Sequence, residues 1–171
     1  NSLSKFFSNK DKFTLGVCNG CQMLSNLKSI IPGSEHWPEF IKNNSNQFEA
    51  RQVLVKIPKS NSILFKDMHK SILPIIVSHG EGKISIKNKS SIKKAIMQYV
   101  DITGKYTEEY PYNPNGSLNG VTGFCNNDGR INIMMPHPER LIHINNFSWT
   151  PSKWKVSPWL KMFINAREWI N

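Results

Sequence analysis

Apolar and polar residues alternate along this chain in short blocks. Phe13–Val17, read FTLGV, is a brief apolar run that predicts a strand. In the QMLSNLKSI that follows, Met23, Leu24, Leu27 and Ile30 recur at helical spacing and predict a helix with one apolar face. Strand and helix are separated only by a tight corner. The residues before Phe13 read as a preceding helix. Further strands are predicted at Gln52–Ile57, at Leu73–Val77 with its proline, at the alternating Gly82–Lys87, and at Ile131–Met135, where Pro136 ends the run. Residues 108–123 are dense in Pro, Asn and Gly and predict a loop, and residues 149–158 a surface connection. Ser157 and Pro158 then read as an N-cap and a first helical position, opening a helix with Trp159, Phe163, Ala166 and Ile170 on one stripe. Strands mixed with helices predict an α/β layered fold.

Composition narrows the class. With 171 residues, 39% hydrophobic and 11% aromatic, the chain can bury a real core. No apolar run approaches the length that spans a membrane, and the amino end has no secretory h-region. The formal net charge of +10 invites a nucleic-acid reading. The lysines, however, are scattered among Asn and Ser, as in IKNKSSIKK, with no aromatic interleaving. They read as solvated faces, so no nucleic-acid or membrane partner is expected. Three cysteines, an odd count without a framework, fit a cytoplasmic setting better than a secreted disulfide fold. The chain begins at Asn1 without an initiator methionine, which points to a processed chain or a piece of a longer one.

The corner GVCNGCQ, residues 16–22, carries the chemistry. A zinc site needs about four ligands. Cys18 and Cys21 have only Cys125 and scattered histidines to recruit, so no metal site is expected. A redox CxxC is a second alternative, with Asn19 and Gly20 between the thiols. A nucleophile elbow explains more. Gly16 and Gly20 flank Cys18 and would let the backbone pack closely where the reactive residue turns from strand to helix. The Cys18 thiol would lie at the helix N-terminus, where the dipole favours thiolate. The Asn19 N–H would be placed to stabilise an oxyanion.

A cysteine nucleophile needs a base. His137 lies just after a predicted strand, in a Pro-His-Pro frame, with Glu139 two residues on. His79, in VSHGEG, also follows a strand and has Glu81 two residues on. Spacing leaves the two close, and His137 leads mainly through its proline frame. His36, His69 and His143 lack a carboxylate at that offset.

G-x-C-x-G-x-Q followed much later by H-P-E resembles class I, triad-type glutamine amidotransferase domains. FTLGVCNGCQMLSNL, IPGSEHWPEF, NQFEAR, VSHGEG, YPYNPNGSLNGVTG, DGRINIMMPHPER and the tail from SWTP to NAR look like the carboxy-terminal glutaminase domain of the large single-chain phosphoribosylformylglycinamidine synthases. The likeness runs from about Phe6 to Trp169 and so makes residues 1–171 a portion of such a domain. It implies an open, mostly parallel sheet flanked by helices with flavodoxin-like layering, its first strands lying upstream of Asn1. It implies Cys18 as nucleophile, His137 as base and acid, and Glu139 as its orienter. It assigns Gln22 and the Ser78, His79, Gly80 loop to substrate binding, which makes His79 a pocket residue rather than the base. Glutamine would be the substrate. Ammonia would pass to synthetase domains of the same polypeptide, which would bind the ATP and Mg2+ that this chain does not. Without the upstream strands, the 171 residues alone would be weakly active or inactive, and marginally stable. An elbow-cysteine peptidase and a non-catalytic remnant are the competing readings.

Overall fold

The computed structural model describes residues 2–86 and 89–171. Six strands form one sheet: β1 (Thr14–Val17), β3 (Glu49–Lys56), β4 (Ile72–His79), β6 (Ala95–Val100), β7 (Val121–Cys125) and β8 (Ile131–Met134), in the order β1-β8-β7-β6-β3-β4. A small second sheet pairs β2 (Glu39–Ile41) with β5 (Lys83–Ser85). Helices α1 (Ser2–Ser8) and α2 (Asn19–Asn26) lie early in the chain, and α3 (Leu160–Ile170) closes it.

The α/β class holds, but the expected mostly parallel sheet does not describe these residues. Only β1–β8 is parallel, and the other four pairings of the large sheet are antiparallel. The reason lies in the connections. A parallel neighbour needs a long crossover. β7 and β8, by contrast, are consecutive and joined by a short turn, and β3 and β4 are likewise consecutive and pair over eight residues.

Apolar residues pack on both faces of the sheet. In β8, Ile131 and Ile133 face a cluster with Phe7, Leu24, Ile31 and Trp37, while Met134 joins the opposite cluster with Val55, Ile75, Val77, Trp159 and Met162. Strands β6, β7 and β8 are buried at every position. Such strands carry no period-2 signal, and β6 is not predicted by the sequence pattern. Val121–Gly123, expected in a loop, form the start of β7. Burial between neighbours overrides their small, polar composition. Strands β3 and β4 bury one face and do alternate. Pro74 sits in β4 at the margin of the sheet, where a missing N–H is tolerated.

Three local expectations change. Helix α2 ends at Asn26, and Leu27 and Ile30 follow it around a short 3-10 turn. Met23 is 56% exposed, because the buried face of α2 is Cys21, Leu24 and Ser25. In α3 the buried stripe is Met162, Asn165 and Ala166, with Trp159 just ahead and Ile170 in solvent. Ser157 Oγ accepts the Trp159 N–H at 3.2 Å, but the helix begins later than expected: Trp159 holds the N-cap position and Leu160 is the first helical residue, with Ser157 and Pro158 in the turn before it. The strand expected at Gly82–Lys87 is observed over Lys83–Ser85, and Lys87 lies outside the described residues. Among the described residues, no helix is long and apolar enough to cross a membrane.

The sheet curls so that its two margins approach. The Cys18 Sγ, after β1, lies 3.6 Å from the Ser78 carbonyl of β4. His137, after β8, donates its backbone N–H to the Ile76 carbonyl of β4 at 2.8 Å.

Candidate active site

The elbow begins with the β1–β8 ladder, which continues one residue past β1: the Cys18 N–H donates to the Met134 carbonyl at 3.0 Å. The Cys18 carbonyl then accepts the first helical bond of α2, from Gln22 N–H at 3.1 Å. Between these two constraints Cys18 is held at φ 53°, ψ −111°. A non-glycine residue adopts that backbone only where its surroundings over-determine it.

Gly16 allows the corner to close. A Cβ there would lie 2.7 Å from both the Gly20 carbonyl oxygen and Leu24 Cδ1. Gly20 differs from expectation: a Cβ on it would meet open space. The close approach is of the Gly20 backbone onto Gly16, so only Gly16 must lack a side chain. Asn19 is the first residue of α2, with its N–H among those a helix start leaves unpaired.

The two CxxC thiols face different surroundings. Cys18 is partly exposed and lines a cleft, whereas Cys21 is fully buried in the core cluster that also holds Phe7, Leu24 and Trp37. Burial, and then the neighbouring Cys18, push the Cys21 thiol well above its ordinary pKa. Cys125 lies at the far end of β7, donates to Asn61 Oδ1 at 3.3 Å, and is pushed up to about 12 by burial and Asp128. The three sulfurs are therefore not one site. Among the described residues, no three His, Cys, Asp or Glu side chains gather in a metal-ligand set.

His137 enters from the end of β8, fixed by its backbone bond to β4 and by prolines on both sides. Its Nδ1 and Glu139 Oε1 are 2.6 Å apart. The other ring nitrogen, Nε2, is buried without a well-formed hydrogen bond. The imidazole pKa is raised to about 9, first by interaction with Cys18 and then by the Glu139 bond, against the opposing effect of burial. Burial alone would raise Glu139, but its bond to His137 and the charges of His137 and Arg140 together hold it below the usual carboxylate value.

The cleft has a volume of about 500 Å³. Cys18, Asn19, Gln22, Ser78, His79, Gly80 and His137 all line it. Gln22 Nε2 donates to the Glu81 carbonyl at 2.8 Å and ties α2 to the loop after β4. His79 is only 3% exposed, with Nε2 3.3 Å from Asn115 Nδ2. Burial, then the charge of His137, lower its pKa to about 4. The ring packs under Gly82 and lines the cleft.

Sequence reading passed over Phe48 and Arg140, which also line the cleft, and Asn43 and Asn115, which hold its loop. Arg140 had a signal, since it adjoins Glu139. The asparagines had none, because their partners in the cleft loop are far away in sequence.

Strand, strained cysteine corner and helix, with a carboxylate-held histidine at the next strand end, define an α/β protein of the elbow-cysteine class. The chain belongs to the CobB/CobQ-like glutamine amidotransferase domain family, which it matches over residues 1–170. Its fold is similar to PurLQS from Thermotoga maritima, with a TM-score of 0.69 at 18% identity over 95% of this chain and 64% of that one. A GMP synthase-type protein from Thermoplasma acidophilum gives 0.56 at 13% identity over 99% of this chain and 62% of that one. The chain thus spans somewhat under two thirds of the length of these structures.

Proposed function

We propose that this chain is the glutaminase part of a phosphoribosylformylglycinamidine synthase of the large single-chain form. The observation that carries the glutaminase reading is the convergence of Cys18, the His137–Glu139 pair and Gln22 on one cleft. The similarity to PurLQS supports the choice of pathway.

His137 holds the proton given up by Cys18, and Cys18 Sγ attacks the side-chain amide carbon of glutamine. The new C–S bond gives a tetrahedral oxyanion, and the Asn19 N–H at the start of α2 stabilises it. His137, held by Glu139, returns its proton to the leaving nitrogen. The C–N bond breaks, ammonia departs, and a glutamyl thioester remains on Cys18. His137 then draws a proton from water, whose oxygen attacks the thioester. The C–S bond breaks, glutamate leaves, and the proton drawn from water stays on His137 beside the freed sulfur.

The ligase half belongs to synthetase domains of the same polypeptide. Those domains would bind the ATP and Mg2+ that would supply activation of the amide oxygen of formylglycinamide ribonucleotide, which ammonia would replace. This is a step of purine biosynthesis, carried out in the cytoplasm.

The test is covalent labelling of the intact protein with a diazo-ketone analogue of glutamine, mapped by mass spectrometry. Labelling confined to Cys18 and blocked by glutamine is expected, with ammonia released from glutamine by the unlabelled protein. Labelling at Cys21, or none on a folded protein, would overturn the assignment.

A further inference from the structure

Beneath the cleft, the turn after β4 is held by one buried side chain that touches neither Cys18 nor the cleft. Asn43 is 1% exposed. Its Nδ2 donates to the His79 carbonyl at 2.8 Å and to the Gln47 carbonyl at 3.0 Å. Its Oδ1 accepts the Gly82 N–H at 2.9 Å, and its backbone N–H donates to the Gly80 carbonyl at 2.9 Å. One residue thus bonds to three of the four residues His79–Gly82. Asn115 adds a bond from Nδ2 to the Gly82 carbonyl at 2.8 Å.

The remaining residue, Glu81, offers its carbonyl to Gln22 Nε2. The residue before the turn, Ser78, has its carbonyl 3.6 Å from Cys18 Sγ. The turn therefore has two sides. Asn43 holds its back, and its front meets the nucleophile and the glutamine of α2. A loss at Asn43 therefore shifts the Gly80–Gly82 backbone and the Glu81 carbonyl, while Ser78 stays held in the β3–β4 ladder. Small displacements of a preorganised site lose binding and rate well before they lose the fold.

Resting on the glutaminase reading, we infer that Asn43 is a positioning residue for substrate. It sets the His79–Gly82 turn at the height where the cleft accepts an amino-acid amide, and it leaves the Cys18–His137 pair untouched. The two functions separate because His137 is fixed by its own bond to Ile76 and Cys18 by its bond to Met134.

The experiment compares two alkylators of Cys18 on the intact protein. Iodoacetamide needs only the nucleophile, whereas the diazo-ketone analogue of glutamine also needs the cleft. In Asn43→Ala, the diazo-ketone rate is expected to fall about tenfold or more while the iodoacetamide rate stays within about twofold. KM for glutamine is expected to rise by about the same tenfold, with a much smaller change in kcat. Asn43→Asp keeps the size and the acceptor for Gly82 N–H but loses both bonds the side chain donates, and it carries the test if the alanine variant does not fold. Equal falls with both reagents, or none with either, would overturn the inference and leave the glutaminase assignment standing. Failure of the diazo-ketone to label the unsubstituted protein would instead sink the glutaminase assignment, and this inference with it.

Discussion

Glu139 Oε1 lies 2.6 Å from His137 Nδ1, and the carboxylate is still 44% exposed. One proline separates the two residues, and the short 3-10 turn Pro138–Leu141 folds the carboxylate back beneath the ring. The bond is local in sequence, and after Cys18 it is the second contributor to the raised proton affinity of the ring.

That affinity gives a pH signature. The His137 pKa is raised to about 9, so the imidazole keeps its proton through neutral pH and loses it as pH climbs through that value. The iodoacetamide rate at Cys18 is expected to show an inflection near pH 9. In Glu139→Gln the second contributor to the shift is gone, and the inflection is expected to move down. In His137→Gln it disappears, and kcat falls by about 10²–10⁴-fold. An inflection that stays in place in Glu139→Gln would show that the carboxylate does not tune the ring.

His79 responds in the opposite direction. Its pKa is lowered to about 4, below the ordinary histidine value, so between the two the unfolded chain binds a proton that the folded chain refuses. Stability is therefore expected to fall as pH drops from about 6.5 toward 4. Denaturant melts of His79→Gln should show a flatter pH dependence over that window. An unchanged slope would mean that other groups control acid unfolding.

The two elbow glycines separate in a thermal melt. Gly16→Ala forces a methyl group to within 2.7 Å of backbone and Leu24 and is expected to destabilise by about 1–3 kcal/mol. Gly20→Ala meets open space inside a helix and is expected to leave stability unchanged or raise it by about 0.5–1 kcal/mol. Equal losses at both sites would contradict the packing described for the corner.

Arg130 is 6% exposed and donates to the Asn9, Lys12 and Phe7 carbonyls at 2.8, 2.5 and 3.2 Å, while Nε pairs with Asp128. It fastens the end of α1 to the β7–β8 turn. A lysine cannot reproduce that fork. Arg130→Lys is expected to destabilise by about 1–3 kcal/mol and to expose residues 2–12 to proteolysis first. Cleavage beginning elsewhere would assign the anchoring to other contacts.

The sequence by itself determined the parts of this protein that depend on near neighbours. The corner at Cys18 was legible because strand, glycine, cysteine and helix follow one another within a short stretch of chain. The His137–Glu139 pair was legible because a proline frame and an offset of two bring base and carboxylate together locally. The alternating strands β3 and β4 were legible because each buries one face. Tertiary structure decided the rest. Strands β6 and β7, buried on both sides, carry no alternation to read, and their antiparallel pairing is set by which edges are free. Spacing left His79 and His137 close. Burial separates them, driving His79 down to about 4, while contact with Cys18 and Glu139 lifts His137 to about 9. Asn43 has no signature for this role, since the side-chain partners it holds in the His79–Gly82 turn lie 36 and 39 residues away and meet it only in the folded chain. Local propensity fixes a corner or a turn, whereas the relative height of two loops is fixed only when the whole sheet closes around its core.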